Sequence, residues 1–208
     1  MNSSPKAWRT RRRAASIIAL LIGALPASGH ALGGAAMVTG GLTSQPIGHY
    51  DFCKRFRDEC AIRPIDKGPE HMTKALWKMV MDVNLHVNTA VKPMSDLENY
   101  GQEEYWAYPD NGYGDCEDYA LEKRRELMHD GISLANLLIT VVRKPDGEGH
   151  AVLTVRTDQG DFILDNLNDS VRQWYETGYT FLKRQATDHT GHWVTIREGQ
   201  APLVSSVK

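Results

Sequence analysis

The run Gly114-Asp115-Cys116-Glu117-Asp118-Tyr119 constrains this chain more than any other stretch. One cysteine sits among three carboxylates, behind the turn-forming Asp110-Asn111-Gly112-Tyr113-Gly114 and at the head of a helical pattern. The helix is expected from Cys116 to His129, with Asp115 as N-cap and Gly131 closing it. Three acids make a poor apolar core site, so Cys116 does not read as an inert buried thiol. Downstream, His150 lies in the alternating run Gly149-His150-Ala151-Val152-Leu153 and Asp165 in Phe162-Ile163-Leu164-Asp165-Asn166. Cysteine on a helix start, then histidine and aspartate on strands, suggests a thiol nucleophile, a base and a group that orients the base.

Register supports that reading. Leu137–Val142, His150–Thr157 and Asp161–Leu167 read as strands, the last two joined at Asp158-Gln159-Gly160. A two-residue loop at Asp158-Gln159 puts Leu167 opposite His150, and one at Gln159-Gly160 puts Asp169 there. In either register Asp165 shares the face of His150. His192 and His189 are rival bases without a carboxylate on a paired strand. Tyr179–Leu182 and Trp193–Ile196 are later strands. Before Cys116, Met72, Ala75, Leu76, Met79, Val80, Val83 and Val87 keep helical spacing, with Pro69 near the first turn. Residues 88–114 read as a long loop in which Tyr105 and Trp106 either line a cleft or cover the sheet. Helices followed by an antiparallel sheet make an α+β domain over residues 69–200.

The first 31 residues read as an export signal. Lys6, Arg9, Arg11, Arg12 and Arg13 precede an apolar run, Ala14 to Leu25, that is too short to span a bilayer, and small residues offer cleavage after Gly29 or Ala31. An uncleaved anchor is the alternative, and Arg11-Arg12 hints at twin-arginine export. Cleavage removes five cations and takes the formal charge from −2 to −7, which argues against a nucleic-acid partner. No later segment is apolar enough to cross a membrane. Export makes Cys53 and Cys60, seven apart, candidates for a disulfide within an irregular segment 32–68, and leaves Cys116 as the odd thiol.

A thiol attacks as thiolate, and a helix N-terminus favours that anion. Asp115, Glu117 and Asp118 oppose it. A hard cation would neutralise them, and oxygen ligands suit calcium. A solvated acidic helix start is the alternative for these three.

Trp106, Gly112 to Ala120, His150-Ala151-Val152-Leu153 and Leu164-Asp165-Asn166-Leu167 resemble the bacterial transglutaminase-like cysteine proteinases. The resemblance covers residues 45–197. It implies a papain/transglutaminase-like fold with the cysteine at a helix N-terminus packed on an antiparallel sheet. It implies Cys116 as nucleophile, His150 as base, Asp165 as orienter, and calcium at Asp115, Glu117 and Asp118. LapG-type periplasmic members of the family clip large surface adhesins and are sequestered by an inner-membrane cyclic-di-GMP receptor. The two-cysteine segment from Pro46 to Cys60 sets this chain apart from that subgroup. The expectation is an exported, calcium-supported cysteine endopeptidase with a protein substrate. Two alternatives stand beside it: transglutaminase-type acyl transfer to amines, and a non-catalytic calcium-dependent binding module.

Overall fold

The computed structural model describes residues 36–197 together with Met1. The expected export signal lies outside these residues. Among them no helix is long and apolar enough to cross a membrane.

The chain enters through β1 (Thr39–Thr43), then α1 (Ile47–Arg55) and α2 (Arg57–Cys60). α3 (Lys74–Ala90), β2 (Lys92–Pro93), α4 (Asp96–Tyr100) and β3 (Tyr113–Gly114) follow, and α5 spans Cys116–His129. The rest is strand: β4 (Leu137–Arg143), β5 (Gly149–Thr157), β6 (Gly160–Asp165), β7 (Asn168–Gln173), β8 (Thr180–Gln185) and β9 (Trp193–Ile196). One antiparallel sheet runs in the order β1-β9-β8-β4-β5-β6-β7. β2 and β3 form a separate parallel pair. The fold is α+β, as expected.

Side-chain alternation divides the sheet into two faces. Ile139, Leu153, Val155 and Leu164 point into the main core, with Val80, Val83 and Val87 of α3 and Leu121 and Leu127 of α5. Val142, Val152 and Ile163 point the other way, into a smaller cluster with Trp174 and Phe181. Thr157 pairs with Gly160 and Leu153 with Leu164, so the β5–β6 loop is Asp158-Gln159, the first of the two expected registers.

Three expectations need correction. Pro69 does not open α3. Thr73 is the N-cap, its side chain accepting from Leu76 N. Residues 88–114 are not one loop, because α4 begins with a capping box in which Ser95 and Glu98 satisfy each other's orphan groups. Residues 32–68 are not irregular throughout, since β1 pairs with β9 and closes the sheet edge. The Cys53–Cys60 disulfide is present and ties α1 to α2.

Candidate active site

α5 begins at Cys116. Asp115 holds the N-cap position with extended backbone, yet its side chain makes no capping bond. Gly114 is required just before it, because a Cβ there would stand 2.7 Å from Asp118 Cβ and 2.8 Å from its Oδ2. The buried Tyr119, Ala120, Leu121 and Leu127 seat the helix on the sheet, which brings its first turn against the start of β5. There Cys116 Sγ accepts a hydrogen bond from Ala151 N at 3.4 Å, so the thiol lies beside the residue that follows His150.

His150 and Asp165 are both buried, and His150 Nε2 stands 2.9 Å from Asp165 Oδ1. The contact occupies Nε2 of the imidazole. Leu167 N donates to Oδ1 at 3.0 Å and the Tyr179 hydroxyl to Oδ2 at 2.7 Å. Burial works against charge on Asp165, but the bonds from His150 and Leu167 outweigh it and hold the carboxyl below its usual range. Two asparagines one turn apart on α3 grip the backbone around it. Asn84 Oδ1 accepts from Asp165 N, and Asn84 Nδ2 donates to the carbonyls of Asn168 and Asp169. Asn88 Nδ2 donates to Asp165 O and to Asp169 Oδ1.

The acids divide into two overlapping groups. Glu117 turns to Cys116, whose thiol donates to its Oε2 at 3.0 Å. Burial first, then the charge of Asp115, pushes Glu117 up to about 9. Burial and Glu117 together raise the Cys116 thiol well above its ordinary value. The second group is Asp96, Asp115 and Asp118, which can each place one oxygen within 4.8 Å of the others. Asp118 Oδ1 accepts from Ala107 N, and Asp96 Oδ2 accepts from Tyr105 N. Asp96 Oδ1, Asp115 Oδ1 and Asp118 Oδ2 are buried with no hydrogen-bond partner among the described residues. Burial raises all three carboxyls, Asp118 to about 8 and Asp96 to about 6. Three orphaned, desolvated carboxylate oxygens facing one another fit a hard divalent cation.

The expected set is thus redistributed. Asp115 and Asp118 stand in the oxygen cluster, Glu117 stands on the thiol, and Asp96 is an addition. Trp106 is not a cleft wall. It is 2 % exposed and packs against His49 and Trp193, with Gly48 leaving room for its ring. Tyr105 lies under the Arg55 guanidinium, 3.7 Å from its centroid. His189 and His192 stack on each other at 3.9 Å. Asn84, Asn88, Asp96 and Tyr179 escaped sequence reasoning. Asp96 alone left a local signal, an acid in the first turn after Ser95.

A helix-borne cysteine whose thiol lies beside a strand-borne His–Asp pair has the architecture of a papain-like thiol enzyme. The model of the bacterial transglutaminase-like cysteine proteinase family, BTLCP, matches residues 39–201, and this chain belongs to that family. It is a cysteine peptidase of the transglutaminase-like kind. Among solved structures it is similar to calcium-bound LapG of Legionella pneumophila, at 20% identity and TM-score 0.51, over 77% of this chain and 86% of that one. EGTA-treated LapG from the same organism gives 20% identity and TM-score 0.50 over 76% and 86%. At that identity the likeness speaks for the fold. No curated protein sequence matches.

Proposed function

We propose that this protein is an exported, periplasmic endopeptidase that cleaves a protein substrate through Cys116, His150 and Asp165. The observation that carries the reading is the buried 2.9 Å His150–Asp165 contact on the strand beside the thiol. It fixes Nε2 on the carboxylate, so Nδ1 is the nitrogen that takes the thiol proton. The Cys116 sulfur attacks the peptide carbonyl, and the C–N bond breaks as His150 passes the proton to the leaving amine. Water, deprotonated by the same nitrogen, then hydrolyses the thioester. The Cys116 backbone N–H at the start of α5 and a donor from residues 100–114 would bind the oxyanion.

Asp96, Asp115 and Asp118 would hold a calcium ion, and the family neighbour bound to calcium supports that choice of metal. When bound, calcium supplies positive charge that offsets the carboxylates around the thiol. Asp115 stands in both acidic groups, so neutralising it also relieves Glu117, whose rise owes most, after burial, to Asp115. A large surface adhesin as substrate and an inner-membrane cyclic-di-GMP receptor as sequestering partner extend the same proposal.

The test is to incubate the calcium-loaded protein with cell-surface proteins of its own organism and read new N-termini by mass spectrometry. Termini are expected with the native enzyme and absent with Cys116→Ala. The same termini from both proteins would overturn the reading. Incorporation of a labelled amine at glutamine without new termini would transfer it to acyl exchange.

A further inference from the structure

The connection from β7 to β8 crosses the sheet, and its last residue stands against the site. β7 ends with Gln173 opposite Phe162, at the end of the sheet far from Asp165. β8 begins with Thr180 opposite Arg143, at the end where β5 starts with Gly149 and His150. Residues 174–179 therefore run from one end of the sheet to the other. They lie over the face opposite α3 and α5, where Trp174 packs with Val142, Val152, Ile163 and Phe181.

His150 and Asp165 have the strand parity of Val152 and Ile163, so they face this connection. The segment is fastened at each step. Thr177 Oγ1 donates to Trp174 O at 2.8 Å and accepts from Tyr179 N at 3.3 Å. Gly178 takes a left-handed φ of 75°, which turns the chain so that Tyr179 meets the site.

We infer that Tyr179 is a positioning residue of this peptidase, acting through Asp165 and His150; the inference rests on the Cys116–His150–Asp165 reading above. Its hydroxyl donates to Asp165 Oδ2 at 2.7 Å. Asp165 Oδ1 is shared by His150 and Leu167, so the tyrosine holds the other oxygen and fixes the plane of the carboxylate. Its ring stands edge-on to the His150 imidazole, centroids 5.7 Å apart at 76°, and restricts the ring's rotation. One side chain thus sets both partners of the pair that must present Nδ1 to the thiol. Burial, and then the bond to Asp165, raise the Tyr179 phenol, which remains a donor across working pH. The contacts Tyr179 makes to the site are to Asp165 and His150, so its effect passes through the pair.

The experiment is the rate of iodoacetamide alkylation of Cys116, the one free cysteine, in calcium-containing buffer. The proteins are native, Tyr179→Phe, Asp165→Asn, the Tyr179→Phe/Asp165→Asn double variant and His150→Ala. Near pH 6, Tyr179→Phe is expected to react about tenfold more slowly than native, the factor one hydrogen bond to a charged group is worth. On the high-pH plateau of each rate profile, where the thiol is fully ionised in every variant, the rates should agree. In the Asp165→Asn background the same substitution should change nothing. Native-like reaction of Tyr179→Phe near pH 6, or an undiminished loss in the Asp165→Asn background, overturns the inference while leaving the triad standing. If His150→Ala matches the native rate near pH 6, the triad itself fails and the inference falls with it. Should Tyr179→Phe melt early, Thr177→Val, which loosens the turn without touching the pair, is expected to slow the reaction in the same direction, and a native rate there counts against the inference.

Discussion

Replacing Asn84 by alanine tests how Asp165 is held. Asn84 is fully buried on α3 and makes three hydrogen bonds to the β6–β7 turn, one from Asp165 N at 3.1 Å and two to carbonyls at 3.0 Å. The alanine strands the buried Asp165 N–H, at about 1–3 kcal/mol, and breaks two bonds worth about 1 kcal/mol each to carbonyls that water can reach. Alanine's better helix propensity returns about 0.6 kcal/mol. The net loss is about 3 kcal/mol, or roughly 6–12 °C in melting temperature for a domain of this size. Asn88, half-buried, makes two bonds to the same turn, and Asn88→Ala should cost about 1 kcal/mol. Thermal melts by circular dichroism give the order native, then Asn88→Ala, then Asn84→Ala. An Asn84→Ala protein melting within about two degrees of native, or no lower than Asn88→Ala, would falsify the idea that α3 grips the turn.

Asp96→Asn removes one of three facing carboxylates, so the chelated variant should melt above the chelated native protein, and calcium should no longer raise its melting temperature. For the native protein that rise corresponds to about 2.7 kcal/mol at a hundredfold excess over Kd. Calorimetric titration showing native affinity in the variant would place the ion elsewhere. His49 carries a pH prediction. Burial, with Arg124 nearby, holds it at about 3 against an ordinary 6.5, while Trp193 Nε1 donates to its Nδ1 at 3.1 Å. Below pH 6.5 the unfolded chain takes up a proton that the folded chain refuses. The stabilisation is therefore complete above 6.5 and is lost as pH falls toward 3, by about 2 kcal/mol at pH 5. Urea melts should show that loss in the native protein and not in His49→Asn; equal slopes would refute the buried neutral imidazole.

That Cys116, His150 and Asp165 come together was legible because each sits in a locally patterned element. α5 begins at the cysteine, and the two-residue turn at Asp158-Gln159 dictates which strand face the other two share. The Cys53–Cys60 pairing was legible from spacing. Tyr179, Asn84 and Asn88 were not, because their roles depend on partners about 14 to 85 positions away that only the fold brings near. Trp106 misled for the opposite reason. An aromatic in an apparent loop looks available, yet Gly48 of α1 receives its ring and makes it core. Asp115 looked like a cap, but its carboxylate joins a cluster assembled by α4, which sequence periodicity over five residues could not reveal.

One residue, Asp115, joins the surroundings of the thiol to the acidic cluster. Asp115 precedes the thiol, shares one group with Cys116 and Glu117, and shares the other with Asp96 and Asp118. Burial and the neighbouring carboxylates raise Glu117 to about 9, and it accepts from a thiol itself raised. Charge placed among Asp96, Asp115 and Asp118 lowers the field at Glu117 and Cys116 together. A cation held by Asp96, Asp115 and Asp118 would offset the charge of Asp115, which raises both Glu117 and Cys116. Lys123, seven residues along α5, is also buried. Burial lowers it to about 7, while Asp165 and Asp169 favour its charge. The helix thus carries the thiol beside an acidic cluster whose facing carboxylates fit a cation, and two turns further on a buried amine whose charge Asp165 and Asp169 favour.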